Sequence, residues 1–242
     1  MPTGIIINSA SIILGGLAGG FLGHLLSERF KEEIQLIFGL CAFAMGIPAI
    51  TQTANLPAVI LSVILGTSLG MFLHLEKKIA GAADLMQRPI NKLFPQEHLA
   101  VSHEEFVSGL VTIIVLFCAS GTGIYGSLDA GMTGEHTILI AKSILDFFTA
   151  AIFACNLGYV VSVVAFPQFI IFLSLFLFAG VILPLTTPEM ILDFRSCGGL
   201  LIVATSFRMI RVKMFPTADM IPAMVLVMPI SWIWSNIFLP LL

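Results

Sequence analysis

The feature that most constrains this chain is a succession of apolar runs, each long enough to cross a bilayer and separated by short polar connections. A membrane-spanning helix needs about 20 mostly apolar residues. Such runs extend over Gly4–Leu26, Ile34–Ile50, Pro57–Leu75, Phe106–Ile124, Thr137–Val161, Phe166–Leu185, Cys197–Met214 and Met220–Leu239. In lipid every backbone polar group must be satisfied within the protein, so runs of this length fold as helices. The expected fold is all-α: a polytopic membrane protein of about eight transmembrane helices. The spans consume most of the 242 residues, so 1–242 reads as one membrane domain.

Charge agrees. Only 10% of the residues are charged and 58% are hydrophobic, against about a quarter and just under half in soluble chains. A formal net charge of −3 offers no basic footprint for nucleic acid. Cys41, Cys118, Cys155 and Cys197 sit in apolar runs and read as packing residues. His24, His74, His98, His103 and His136 form no facing pair in the bilayer core. No cofactor motif is visible, and the sequence leaves a metal undetermined. The first run lacks a basic n-region and a cleavage site, so it reads as a retained helix rather than a signal peptide.

The basic residues orient the bundle. With both termini outside the cytoplasm, nine of the eleven Lys and Arg residues fall in the cytoplasmic connections or at their edges, including Arg208 and Arg211 at the end of the seventh run. Arg195 falls in an outer loop and Lys142 within a span. This is the positive-inside pattern. The longest polar stretch, 76–105, is then cytoplasmic. It places Ile79, Ala83, Met86, Ile90 and Leu93 on one stripe, with Pro89 as an expected break. It reads as an amphipathic connector lying on the membrane surface, or as a solvated one.

Two stretches look alike. Phe30-Lys-Glu-Glu-Ile-Gln-Leu-Ile-Phe-Gly39 and Pro188-Glu-Met-Ile-Leu-Asp-Phe-Arg-Ser-Cys-Gly198 each lead into an apolar helix, and each is followed by a proline-led helix at Pro57 and Pro222. The matched helices differ by five in order and so cross in opposite senses. This implies an inverted repeat, helices one to three against six to eight, around a central pair. Gly15, Gly19 and Gly23 form a small-residue stripe in the first helix. Such a stripe serves either a homodimer face or close packing within the chain.

The candidate site is central. Segment 121–136 carries Gly121, Gly123, Gly126, Gly131 and Gly134, with Ser127 and Asp129 between them. Five glycines disfavour a regular helix. The segment reads as broken or re-entrant, or as an outer loop with Asp129, Glu135 and His136 in solvent. The next helix carries Lys142, Ser143 and Asp146, with Asn156 further on. Lys142 and Asp146 are four apart and share a face. An ionisable residue in the membrane marks function by default. Asp146, Lys142, Asp129, Ser127, Ser143, Asn156, Gly126 and Gly131 are therefore the candidate substrate- or ion-binding residues.

The cluster Gly126-Ser-Leu-Asp129-Ala-Gly131, followed by Lys142-Ser143-Ile-Leu-Asp146, resembles the YqgA/YdfK-type bacterial inner-membrane family, a domain of unknown function (number 554). The likeness runs over nearly the whole chain, including the glycine-rich first helix and Gly198-Gly-Leu-Leu-Ile202. It implies a multi-pass protein of the bacterial inner (plasma) membrane, often called a transporter. It implies no substrate.

The expected function is therefore transport of a small solute or ion through a midplane site, with an ion channel as the nearest alternative. A non-transporting scaffold or sensor has no sizeable soluble domain to carry a signal. An aspartyl enzyme would need two carboxylates sharing a proton, but Asp129 stands in Gly-Ser-Leu-Asp rather than Gly-x-Gly-Asp. There is no zinc-protease or nucleophile-elbow motif either, so the expectation is no enzyme. The expected partners are the lipid bilayer and the solute.

Overall fold

The computed structural model describes residues 1–22, 27–93 and 103–241. Gly23, His24 and His98 lie outside the described residues. The elements are α1 (Thr3–Leu22), α2 (Glu28–Thr51), α3 (Leu56–Phe72), α4 (Leu75–Leu93), α5 (His103–Cys118), α6 (Gly121–Thr133), α7 (Thr137–Leu157), a single turn α8 (Val160–Val163), α9 (Ala165–Ile182), α10 (Pro188–Met209) and α11 (Pro222–Ile233). No strand occurs among them. Seven spans are long and apolar enough to cross a membrane. The 17-residue α3 makes an eighth together with α4, across a bend of 57°. That bend falls at His74, which adopts a left-handed φ of 52°. The protein is a polytopic α-helical membrane protein.

Local signals explain the ends. Ser120 accepts the Gly123 N–H and starts α6. Gly134 closes it at φ 78°, a left-handed conformation that glycine adopts without steric cost. Gly158 ends α7 with φ 74°. Thr187 caps α10, with Pro188 at its first turn.

Several expected boundaries change. Segment 121–133 is neither loop nor re-entrant turn. It is helix, and with the end of α5 it makes one span, Gly109–Thr133, broken at Ala119–Ser120. Helix α10 begins at Pro188 rather than near Cys197, so Arg195 lies in a span and not in an outer loop. Pro89 does not break α4, which continues to Leu93. One lost hydrogen bond near a helix end is tolerated where the helix is held otherwise, and Ala83 and Met86 pack against Phe106 and Leu110 of α5.

Glycines set the helix pairing. Gly15 and Gly19 face the Phe147 and Ala151 carbonyls, so α1 and α7 run parallel in backbone contact. Of the two readings of that stripe, close packing within the chain is what Gly15 and Gly19 show: their surface is filled by α7. On the other side of the bundle, Gly123 and Gly131 meet Phe172 and Phe176, so α6 and α9 are also parallel. Gly39 and Gly46 meet Ile210 and Gly199, making α2 and α10 antiparallel. Gly66 and Gly70 meet Ala223 and Asp219, making α3 and α11 antiparallel. These four pairings are those expected if α1–α3 and α9–α11 are inverted copies flanking the α6–α7 hairpin.

Substitution separates these contacts from open positions. Gly19→Leu drives a side chain into the Ala151 backbone, whereas a Cβ on Gly180 meets nothing within 4 Å. We expect Gly19→Leu to cost about 1–3 kcal/mol or more by overpacking, and Gly180→Leu to leave the melting midpoint in detergent unchanged. Equal midpoints for the two variants would refute the close approach of α1 and α7.

Candidate functional site

The centre of the bundle holds a buried ion pair. Asp146 is the tenth residue of α7, about 14 Å from one helix end and about 16 Å from the other at 1.5 Å per residue. Its carboxylate accepts both close contacts from the Lys142 ammonium, at 2.7 Å and 2.6 Å. The side chains are 6% and 8% exposed. The pair is continued by polar groups from two other helices. Asn8 of α1 donates its amide N–H to Asp146 Oδ2 at 2.8 Å. Gln168 of α9 donates to Asn8 Oδ1 at 2.8 Å, and Ser9 donates to Gln168 Oε1 at 2.7 Å. All donors in the chain point toward the carboxylate, so each bond polarises the next. Lys142 also lies 5.9 Å from the centre of the Phe117 ring.

Two cavities approach this pair from the end of the bundle where α3 meets α4. The outer one, about 340 Å³, is bounded by α4, α5, the α5–α6 break and α10, with Glu76, Arg208 and Thr217 toward the rim. The inner one, about 50 Å³, is lined by Lys142 and Asp146 together with Ser120, Thr122, Thr149 and Thr205. The two share Leu116, Ser120, Thr205 and Met209 as walls. At the rim, the Arg208 guanidinium donates to Glu76 Oε1 at 3.0 Å and to the Phe215 carbonyl at 3.2 Å. Asp219 accepts the Glu76 backbone N–H at 2.9 Å and so fixes the start of α4.

The candidate residues divide. Lys142 and Asp146 form the central pair. Asp129 belongs elsewhere: toward the end of α6 it accepts from Arg195 of α10 at 2.7 Å, while Arg195 also donates to Thr133. Ser127 and Ser143 donate to the Gly123 and Leu139 carbonyls of their own helices. Gly126 and Gly131 serve packing against Leu139 and Phe176. Asn156 is exposed and is corrected out of the site; it lies beyond the buried middle of α7, on the turn before Gly158.

Sequence reasoning missed Asn8, Ser9 and Gln168 of the central chain, and Asp193 and Arg195 of the contacts that tie α10 to its neighbours. Asn8 follows Ile5-Ile-Ile7, and Gln168 sits in Phe166-Pro-Gln-Phe169; an uncharged polar residue inside an apolar run was the available signal. Asp193 was hidden by placing the start of α10 too late. It is fully buried. Its oxygens accept the Ala54 and Asn55 backbone N–H groups, the Asn55 side chain and the Ser231 hydroxyl. This binds α10 to the α2–α3 connection and to α11. Arg195 lies in the same early turns of α10. Thr187-Pro188-Glu189 is a helix-start signature that would have recovered both.

The matching family model, described as "Protein of unknown function (DUF554)", covers residues 3–232. The chain belongs to this family. It is 47% identical over 238 residues to "Uncharacterized protein YqgA" of Escherichia coli (strain K12), covering 98% of this chain and 100% of that protein. It is 28% identical over 227 residues to "Uncharacterized membrane protein YdfK" of Bacillus subtilis (strain 168), covering 92% and 93%. No solved structure gives a significant match.

The Asp129–Arg195 pair is testable as a tie between α6 and α10. Arg195→Met strands a buried carboxylate and is expected to lower stability by about 1–3 kcal/mol. The double variant with Asp129→Leu is expected to regain most of that loss. Additive losses in the double variant, measured by denaturation in detergent, would show that the two side chains do not interact.

Proposed function

We propose that this protein is a transporter of a small solute or ion, with its substrate site beside the Lys142–Asp146 pair. The carrying observation is a cavity system approaching a buried ion pair at half-depth from one end of the bundle. Taking the two charges out of water is costly, so a cavity that lets water or a solute reach them relieves that cost, and intramembrane charges facing such cavities mark solute pathways. The four helix pairings add support, because transporter sites lie at the interface of inverted repeats. In this reading Asp146 and Lys142 contact the solute, Thr122, Thr149 and Thr205 line its place, and Asn8 holds the carboxylate in position. Asp129–Arg195 and the Asp193 cluster brace the opposite end.

Lys77, Lys78 and Arg88 on α4, and Arg208, Arg211 and Lys213 at and after the end of α10, whose Arg208 reaches Glu76 of α4, support a cytoplasmic cavity end by the positive-inside rule. Both termini then face away from the cytoplasm, across what we take to be a bacterial inner membrane. In this reading the structure is the inward-open state, with the cavities at the α3–α4 end facing the cytoplasm. Alternating access requires the braces at the outer end to part while the walls at Leu116, Ser120, Thr205 and Met209 close.

Side-specific labelling tests this. In a background with the four native cysteines replaced, Thr205→Cys is expected to react with a membrane-impermeant thiol reagent from the cytoplasmic face only. Labelling from both faces at once would mark a continuous water path and favour a channel. Protection from both faces would remove the cavity on which the transporter reading stands.

A further inference from the structure

We propose that the solute is a small monovalent anion and that it moves together with one proton, which Asp146 carries. This rests on the transporter reading and names the substrate class and the coupling ion of the same site.

The argument is one of charge. As built, the inner site is neutral: one ammonium and one carboxylate, both buried, each the other's counterion. An anion entering alone leaves an unpaired negative charge in a low-dielectric space, which is heavily penalised. Protonation of Asp146 changes this. The carboxylate becomes a neutral acid, and Lys142 remains an ammonium with no counterion. The anion then supplies one. Proton and anion thus each remove the penalty of the other, which makes their binding mutually dependent. The balance closes: the site gains H⁺ and A⁻, its net charge stays zero, and the lysine keeps all its protons.

The surroundings favour an anion over a cation. Asp146 is the one carboxylate lining the inner cavity, and Lys142 already holds both of its oxygens. A metal ion would have to displace the ammonium. The remaining polar lining is hydroxyl, from Ser120, Thr122, Thr149 and Thr205. The start of half-helix α6 opens into the outer cavity at Gly121, and the partial positive charge of a helix N-terminus adds to that of Lys142. The space is about 50 Å³, room for a few water-sized groups, which suits a halide, nitrate, formate or bicarbonate.

Among the described residues, the other titratable group near the pair is the Cys118 thiol at the end of α5. Helix α1 presents the amide of Asn8, α6 and α10 present hydroxyls, and α2 presents Ala42 and Met45.

The test uses purified protein in liposomes carrying a pH-sensitive dye, with the potential clamped by equal potassium and valinomycin. Inward gradients of chloride, nitrate, formate and bicarbonate are imposed in turn, each against protein-free liposomes. Wild-type protein is expected to acidify the lumen with at least one of them. Asp146→Asn is expected to lose at least about tenfold of the proton movement while still exchanging anion for anion, since Lys142 stays charged. Lys142→Met is expected to lose both. A second arm imposes sodium or potassium gradients with an impermeant anion. Lumen alkalinisation there, independent of the anion, overturns anion–proton coupling but leaves the protein a transporter. Anion flux without proton movement in the wild type also overturns the coupling. Both outcomes are read on wild-type protein and do not depend on a variant folding. Silence in both arms overturns the proposal, and the transporter reading falls with it only if Thr205→Cys is also unreactive from both faces.

Discussion

A charged pair buried in a lipid-solvated bundle persists only where neighbouring helices supply the hydrogen bonds that water would otherwise make. Lys142 and Asp146 meet that condition through α1 and α9. Asn8 and Gln168 pass a directed chain of donors onto Asp146, and each amide can serve only if its helix approaches closely enough. Gly15 and Gly19 let α1 lie against the backbone of α7. Without that approach the Asn8 amide would not reach the carboxylate. Lipid gives no hydrophobic drive for helices to associate, so van der Waals contact across glycine faces and interhelical hydrogen bonds carry the assembly together.

Four aspartates are buried among the described residues; Asp219 fixes the start of α4, and the other three divide the labour within the bundle. Asp193 is met by four neutral donors and, among the described residues, by no cation, so it is a structural knot joining α10, α11 and the α2–α3 connection. Asp129 is met by Arg195 across the α6–α10 contact. Asp146 alone lines a cavity together with its cation. The contacts of the first two tie helices together, whereas the third stands on the wall of the inner cavity. That difference, rather than burial as such, separates a bracing carboxylate from one placed to exchange partners.

Much of the fold was legible in residue order. Apolar length marked the spans, and the four-residue spacing of Lys142 and Asp146 marked their pairing, because both follow from the periodicity of a single helix. The weak likeness of 30–39 and 188–198 pointed to helices that do pair antiparallel. Local composition was half informative: five glycines between 121 and 134 suggested a broken or re-entrant segment or a loop, and the span is broken just before them at Ala119–Ser120, while α6 itself is helical throughout. Its glycines are used for close packing against α7 and α9, where the tertiary contacts outweigh the intrinsic propensity. Asn156 was placed near the site by helical angle alone, and angle says nothing about which neighbours cover that part of the helix.

The sequence by itself determined that the chain crosses a membrane many times, where its basic connections lie and which two charges share the face of one helix. Those properties depend on hydrophobic length and local spacing, both of which are written in consecutive residues. Only the tertiary structure decided that Asn8, Ser9 and Gln168 converge on Asp146, that Asp129 turns instead to Arg195, and that a cavity approaches the central pair from one end. Contacts between helices far apart in the chain depend on which faces lie close enough to exclude lipid, and no single segment carries that information.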